Sequence, residues 1–320
     1  MSELVRLLRL GCIPDWQTQA VYHAIAESMS DNTPDTIILC QPATPYLCLG
    51  YHQSFDAVLD RAECERRHLP VLRRQVGGGA TYLDSNQIFY QCVFHRRHVP
   101  PIFSAVFAKM LQAPVAVLQR LGLNAVLREV NEIEVDGKRI AGTGGGQIGE
   151  ACVVVGNLLL DFDYETMAHV LKIPWESSRP LILSAMRGSV TTLRQSNTST
   201  DASILGEMLV EEYSNAFKRS LEPGALTANE IQLASVIGER LRSTEFLNLR
   251  EDAPPKPLKI SAHVSIRFEQ IERDGQTIRA TLVVRDGVIE NALLESDSPQ
   301  SWRAQARLRG APLEDWQNYF

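Results

Sequence analysis

Two arginines and three glycines stand close together at Arg73, Arg74, Gly77, Gly78 and Gly79, followed by Ala80 and Thr81. Guanidinium groups bind phosphate or carboxylate through paired N–H donors. Consecutive glycines let the backbone approach a ligand, and successive N–H groups can form a nest for an anion. The chemistry implied is the holding of a phosphate or carboxylate. Without that use, three glycines beside a β-prone run cost backbone entropy and pack nothing. A second stretch has the same character. Asp136-Gly137 is a two-residue turn signal that returns into Lys138-Arg139-Ile140-Ala141. Gly142-Thr143-Gly144-Gly145-Gly146-Gln147 then reads as a second glycine-rich loop. Neighbouring strand residues point to opposite faces, so Lys138 and Arg139 cannot both aim at one ligand unless the strand is bulged. Asn131, at the head of this hairpin, is a turn-type residue by default.

A packed scaffold must hold these stretches in place. Hydrophobic periodicity predicts strands over 4–12, 37–40, 46–50, 88–94 and 152–162, the last strongly apolar and therefore central. It predicts helices over 16–29, 57–67, 164–171, 202–219 and 227–241, and one over 102–121 kinked at Pro114. Residues 173–200 read as irregular, in the manner of a lid or binding loop. Glu222-Pro223-Gly224 marks a junction. Beyond it come an extended Pro254-Pro255-Lys256-Pro257 segment, strands over 259–269, 278–285 and 288–294 with a turn at Asp286-Gly287, and a final helix over 299–308. The expected layout is a domain over 1–224 and a smaller one over 225–320.

Composition narrows the function classes. The chain has 320 residues and a net charge of −6, which argues against a nucleic-acid-coating surface. Its six cysteines form no C-x-x-C pair, and most lie in apolar runs, as in a reduced, cytoplasmic protein. No run reaches membrane-spanning length, and Pro14-Asp15 interrupts the N-terminal leucines before any signal-type core forms.

Taken in order, Arg73-Arg74-x-x-Gly77-Gly78-Gly79-Ala80, then Asn131-Glu132-Ile133 with Asp136-Gly137-Lys138-Arg139-Ile140-Ala141-Gly142, then Gly156-Asn157-Leu158-Leu159-Leu160-Asp161, resemble the lipoate–protein ligase family. That family belongs to the wider biotin/lipoate ligase and octanoyltransferase superfamily. The C-terminal segment, with His263-Val264-Ser265 and the hairpin at Val284 to Ile289, is similar to the family's small accessory domain. The resemblance implies an α/β (α+β) fold: a mixed sheet flanked by helices, plus a small α+β C-terminal domain. It implies an acid activated with ATP to an acyl-adenylate, lipoyl-AMP for lipoate, and transfer of the acyl group to a lysine of a lipoyl-carrier domain. Mg2+ is expected with ATP, although no metal-ligand cluster is visible in the sequence. Lys138 and Arg139 take the catalytic cation's place. Arg73, Arg74, Gly77, Gly78, Gly79, Ala80, Thr81, Asn131, Gly142 and Thr143 become the nucleotide- and acid-binding set. A monomer with no nucleic-acid or membrane partner is expected.

The chain departs from the family's pattern where Arg139 replaces the usual lysine, where Leu83 replaces a common histidine, and in the extra glycines after Gly142. Some octanoyltransferases of the superfamily use a cysteine from the neighbourhood of Cys152 as an ATP-independent acyl nucleophile. A thiol in that role needs access and a lowered pKa. At the start of an apolar strand it packs as a small hydrophobe instead. A third reading is a non-catalytic acyl- or carrier-binding homologue. His95 and His98 flank Arg96-Arg97 in a basic turn that could dock an acidic carrier.

Overall fold

The computed structural model describes residues 4–198, 200–251, 257–273, 275–296 and 301–319. Its largest sheet, among the described residues, has eight strands in the order Ser220–Pro223, Leu4–Ile13, Thr36–Pro42, Gln87–His95, Ala151–Leu159, Lys138–Ile148, Glu132–Val135 and Ala125–Arg128. Leu4–Ile13 pairs in parallel with both of its neighbours, and the remaining pairs are antiparallel. The α/β (α+β) architecture expected from the resemblance is the one observed: a mixed sheet flanked by helices, with a small antiparallel sheet at the C-terminus. Ala151–Leu159 is central, as its apolar run predicts.

Strand alternation sorts the core into two faces. Val153, Val93 and Ile38 turn toward the helices Asp15–Glu27 and Ala228–Arg242. Cys152, Val154 and Cys92 turn toward Phe103–Met110, Gln112–Arg120 and Ala202–Phe217. Fully burying one such aliphatic side chain contributes about 1.5–3 kcal/mol. A three-stranded sheet, Val71–Arg73, Tyr46–Leu49 and Thr81–Leu83, lies over the first face and carries the Gly77–Gly79 stretch in its loop.

Several elements differ from the sequence reading. Gly142–Gln147 is not a loop but part of the eleven-residue strand Lys138–Ile148. Its glycines are there for close approach. A methyl at Gly144 would lie 2.7 Å from the Gly77 carbonyl oxygen, and one at Gly145 would lie 2.8 Å from that of Val153. Residues 179–189 form a helix rather than irregular chain, with Pro180 in its first turn and Ile182, Met186 and Ser189 on its buried side. The helical stretch 102–121 breaks at Leu111, and Pro114 sits in the first turn of the second helix, where its missing N–H costs nothing. Ser220–Pro223, which holds part of the expected junction, is an edge strand. Asp136-Gly137 and Asp286-Gly287 both take the positive φ values of hairpin turns, as predicted.

The helix Ala228–Arg242 packs its Ala234, Ile237 and Leu241 into the core shared with Asp15–Glu27. The C-terminal sheet comprises Leu258–Lys259, Val264–Arg273, Gln276–Arg285 and Val288–Glu295, with helix Ser301–Leu308 against it. Residues 254–256 of the expected extended segment, and 299–300 of the expected last helix, lie outside the described residues. Ile260, Val264, Ile266 and Val283 share a core with Leu47 and Ile182, so this sheet docks on the larger body. No helix among the described residues is long and apolar enough to cross a membrane.

Candidate active site

A cavity of about 70 Å3 opens between the large sheet and the small three-stranded one. Phe89, Gln91, Val155, Gly156 and Asn157 supply its floor, and Arg74, Gly79, Thr81 and Leu83 supply its cover. Arg139, Gly142, Thr143 and Gly144 form a third side. The two glycine stretches recognised in the sequence therefore meet here. The Gly77 N–H donates to the Gly145 carbonyl at 3.2 Å.

Arg74 shapes the first glycine stretch. Its guanidinium donates to the carbonyls of Gly77, Gly79 and Cys48 at 2.9 to 3.2 Å, and the side chain is almost wholly buried. With the loop carbonyls turned to Arg74, no acceptor among the described residues takes the N–H groups of Gly78, Gly79 or Ala80. Of these three residues, Gly79 lines the cavity. Gly78 has φ +111°, a value that favours glycine. Its carbonyl oxygen lies 2.0 Å from where a methyl at Gly50 would stand.

Of the two adjacent cations, Arg139 faces the cavity and Lys138 is exposed on the hairpin. The pairing explains the difference. Val135 opposes Lys138 and Glu134 opposes Arg139 in regular alternation, and the strand bulges only afterwards, at Ile140. The Arg139 guanidinium donates to the carbonyls of Ala141 (3.2 Å) and Ile260 (3.3 Å), and Glu132 lies 4.0 Å away. Both Glu132 oxygens accept the Ala262 N–H, at 2.9 and 2.8 Å. The turn between the first two strands of the C-terminal sheet, Leu258–Lys259 and Val264–Arg273, thus touches the same two residues. A methyl at Gly142 would meet Arg139 Nη2 at 2.8 Å, so glycine there leaves room for the guanidinium. Asn131 lies outside the cavity lining. Its Nδ2 donates to the Thr143 carbonyl at 3.4 Å, and Thr143 Oγ1 donates back to the Asn131 carbonyl.

Arg73 does not reach the cavity. It is fully buried, and all its nitrogens are engaged by backbone carbonyls: Phe246, Leu247, Gly50, Tyr51 and Gln53. Burial, and then Arg250, lower its pKa from the usual arginine value. Adjacent strand residues have again taken opposite tasks. Arg74 holds the glycine loop, while Arg73 ties the 50–53 loop to the end of helix Thr244–Leu247.

Sequence reasoning quoted Asn157 without giving it a role, and it missed Gln19, Gln91 and His23. Asn157 Oδ1 accepts the Gly142 N–H at 2.9 Å, and its amide donates to Gln87 Oε1. Gln87 donates in turn to the Tyr82 carbonyl at 3.1 Å. This buried chain of amides joins the two sheets around the cavity. Polar residues at inward positions of apolar runs were the available signal: Gln91 within Ile88 to Phe94, and Gln19 within the first helix.

His23 sits behind the loop, fully buried. Its Nε2 accepts the Gln75 N–H at 2.9 Å, and Nδ1, 2.7 Å from the Gln19 carbonyl, must carry the proton. Burial, the largest cause, lowers its pKa to about 3. The unfolded chain therefore binds a proton that the folded chain refuses. The associated stability is complete above about pH 6.5 and is lost as the pH falls toward 3. Within that window the loss is about 1.4 kcal/mol per pH unit. His23→Gln should remove this part of the slope. Urea denaturation at pH 7, 6 and 5 measures it, and identical slopes in the two proteins would contradict a neutral buried imidazole.

Cys152 belongs to the other face of the sheet. Pairing from Ala151 to Leu158 is in unbroken register with both neighbours, so Val153, Val155 and Asn157 share the cavity face and Cys152 points away from it. It packs in the core beside Cys92 and Val154, and burial pushes its thiol up to about 11. Cys48 does line the cavity, but burial raises its pKa, with Arg74 pulling partly the other way. In the basic turn, Arg96 pairs with Glu150 at 2.7 Å, Arg97 with Asp31 at 2.8 Å, and His98 with Asp35 at 3.0 Å.

Comparison with known proteins agrees with this construction. A family model described as the lipoyl protein ligase A/B catalytic domain matches residues 15–220. The octanoyltransferase LipM of Moorella thermoacetica is 24% identical over 273 residues, which span 78% of this chain and 99% of LipM. A bi-partite lipoate protein ligase from Thermoplasma acidophilum, solved in a study of that ligase and its E2 lipoyl domain, has the same fold with a TM-score of 0.70. Identity is 24%, over 77% of this chain and 96% of that one. Lipoate-protein ligase A bound with ATP superposes with a TM-score of 0.65 at 22% identity, over 77% of this chain and 98% of that one. With a family match over more than half its length, on the domain that holds the cavity, the chain belongs to the lipoyl protein ligase A/B catalytic-domain family.

Proposed function

We propose that this chain is an ATP-dependent acyl–protein ligase that activates lipoate or a related acid as the acyl-adenylate and passes the acyl group to a lysine of a lipoyl-carrier domain. The observation that carries this reading is the contrast across the central strand. The cavity is lined by a cation, Arg139, and by Gly79, whose N–H has no acceptor among the described residues, and Cys152, the candidate for an ATP-independent route, lies on the opposite face with its pKa raised by burial. Adenylation and transfer both develop negative charge on phosphate and carbonyl oxygens. Preorganised donors lower such barriers most. Arg139 and the N–H groups of Gly78, Gly79 and Ala80 are the donors available, with Arg74 holding the loop in shape. Phe89, Val155 and Leu83 give the acyl chain apolar walls.

The named relatives lend support to both routes, ATP to one and octanoyl transfer to the other. Among the described residues no group of three or more His, Cys, Asp or Glu side chains is placed to hold a metal ion. Mg2+ would enter with the nucleotide phosphates, which supply much of its coordination. The cavity is small beside the roughly 300 Å3 at which ligand sites usually begin, so an eight-carbon acid needs it to widen on binding.

The test is to incubate the protein with Mg-ATP and lipoate or octanoate, without carrier, and to read the products by mass spectrometry. Acyl-AMP with pyrophosphate is expected, and Cys152→Ala should change its rate less than about twofold while costing about 1 kcal/mol of stability. With an octanoyl thioester of a carrier protein supplied as donor in place of ATP and free acid, a stable acyl adduct on Cys152 or Cys48, formed with release of the carrier thiol, would establish acyl transfer instead.

A further inference from the structure

The wall of the cavity carries an acceptor that the protein itself leaves unsatisfied. Gln91 lines the cavity, is 2% exposed, and donates through Nε2 to the Thr18 carbonyl at 2.6 Å. That contact fixes the amide, because the reverse orientation would set two acceptors against each other. Oε1 is therefore the free end, and it is buried with no hydrogen-bond partner among the described residues. Its neighbour Gln19 is engaged at both ends, donating to Tyr46 Oη at 2.8 Å and accepting from Tyr22 Oη at 3.1 Å. Buried polar atoms without partners are uncommon, and each calls for a cause.

The register places this acceptor relative to the cation. Gln91 lies opposite Val155, and Val155 opposite Gly144. Two residues along the same strand, Asn157 lies opposite Gly142, beside the Arg139 guanidinium. Two strand residues span roughly 7 Å. The cavity thus has a cation at one end, apolar walls from Phe89 and Val155, and an unpaired acceptor a short acyl chain away.

We propose that this cavity selects carboxylic acids whose far end carries an O–H or N–H donor, with Gln91 Oε1 as the specificity-determining acceptor. The proposal rests on the reading that Arg139 receives the carboxylate. A terminal methyl or an oxidised dithiolane offers no such proton and would leave Gln91 unpaired. Sites built to hydrogen-bond a substrate group discriminate strongly against analogues lacking it.

Equilibrium binding of the acids alone, by calorimetry on the whole chain, tests this without requiring any reaction. The probes are 6-hydroxyhexanoate against hexanoate and 8-hydroxyoctanoate against octanoate. The hydroxy acid of at least one pair should bind about tenfold or more tightly, and Gln91→Leu should abolish or invert that ratio. Gln91→Met serves if the leucine variant does not fold. Equal or weaker binding of both hydroxy acids, no binding of any of the four, or an unchanged ratio in the variant overturns the proposal. Adenylation is read separately with Mg-ATP. Selective binding without acyl-AMP would remove the ligase reading and leave this inference standing. Rapid lipoyl-AMP formation without hydroxy-acid preference would do the reverse.

Discussion

Arg139→Met should lower the rate of acyl-adenylate formation by about 10²- to 10³-fold, whereas Lys138→Ala should leave it within about twofold. The two residues are neighbours of equal charge, and only the strand geometry separates them. Regular pairing through Val135–Lys138 and Glu134–Arg139 sends their side chains to opposite sides. Arg139 lines the cavity beside Gly142, and Lys138 is exposed. Between two packed sheets a fixed cation stabilises developing negative charge more than one in bulk water does. Arg139→Lys should recover only part of the rate, since an ammonium keeps the charge and loses the planar fork. Single-turnover pyrophosphate release in the three variants measures all of this. A dead Lys138→Ala beside an active Arg139→Met would mean that the hairpin presents its other face to the substrate.

The second large effect is expected on stability. Arg73→Met should cost about 3–5 kcal/mol, the usual loss when one partner of a buried, charge-assisted network is removed. The guanidinium is 0% exposed and joins two separate segments. It reaches Phe246 and Leu247 at 2.8 and 2.5 Å, and Gly50, Tyr51 and Gln53 at 3.2, 3.1 and 2.5 Å. Methionine can replace the stem but none of the donors, so several buried carbonyls lose their partners together. Urea denaturation gives the stability change. Adenylation per folded molecule, measured below the unfolding transition, should change much less than in Arg139→Met. A variant that is fully stable yet inactive would return Arg73 to the ligand.

Much of the fold was legible because its signals are local. The apolar run in Ala151–Leu159, the Asp-Gly turns and the periodicity of Asp15–Glu27 each state their own structure. Elements whose form depends on distant partners were harder. Gly142–Gly146 looks like a loop by composition, yet it is a strand because it pairs residue for residue with Ala151–Leu159, and close neighbours such as the Gly77 carbonyl at Gly144 and the Val153 carbonyl at Gly145 favour glycine there. Helix Arg179–Ser189 hides in a Pro- and Ser-containing stretch because its buried side is only Ile182, Met186 and Ser189. The segment Ala228–Arg242 follows the expected junction at Glu222-Pro223-Gly224 but completes the core under the first helix.

The sequence by itself determined the family, the mixed sheet with its small companion, and the two glycine stretches with arginines beside them. Residue type, spacing and order carry that information without a third dimension. The tertiary structure alone decided which cation of each neighbouring pair meets the cavity, that Cys152 faces away from it, and that Gln91 and Asn157 belong to it. Alternation guarantees that neighbours part, but which side becomes the site depends on the sheet, helix and loop that pack against each face.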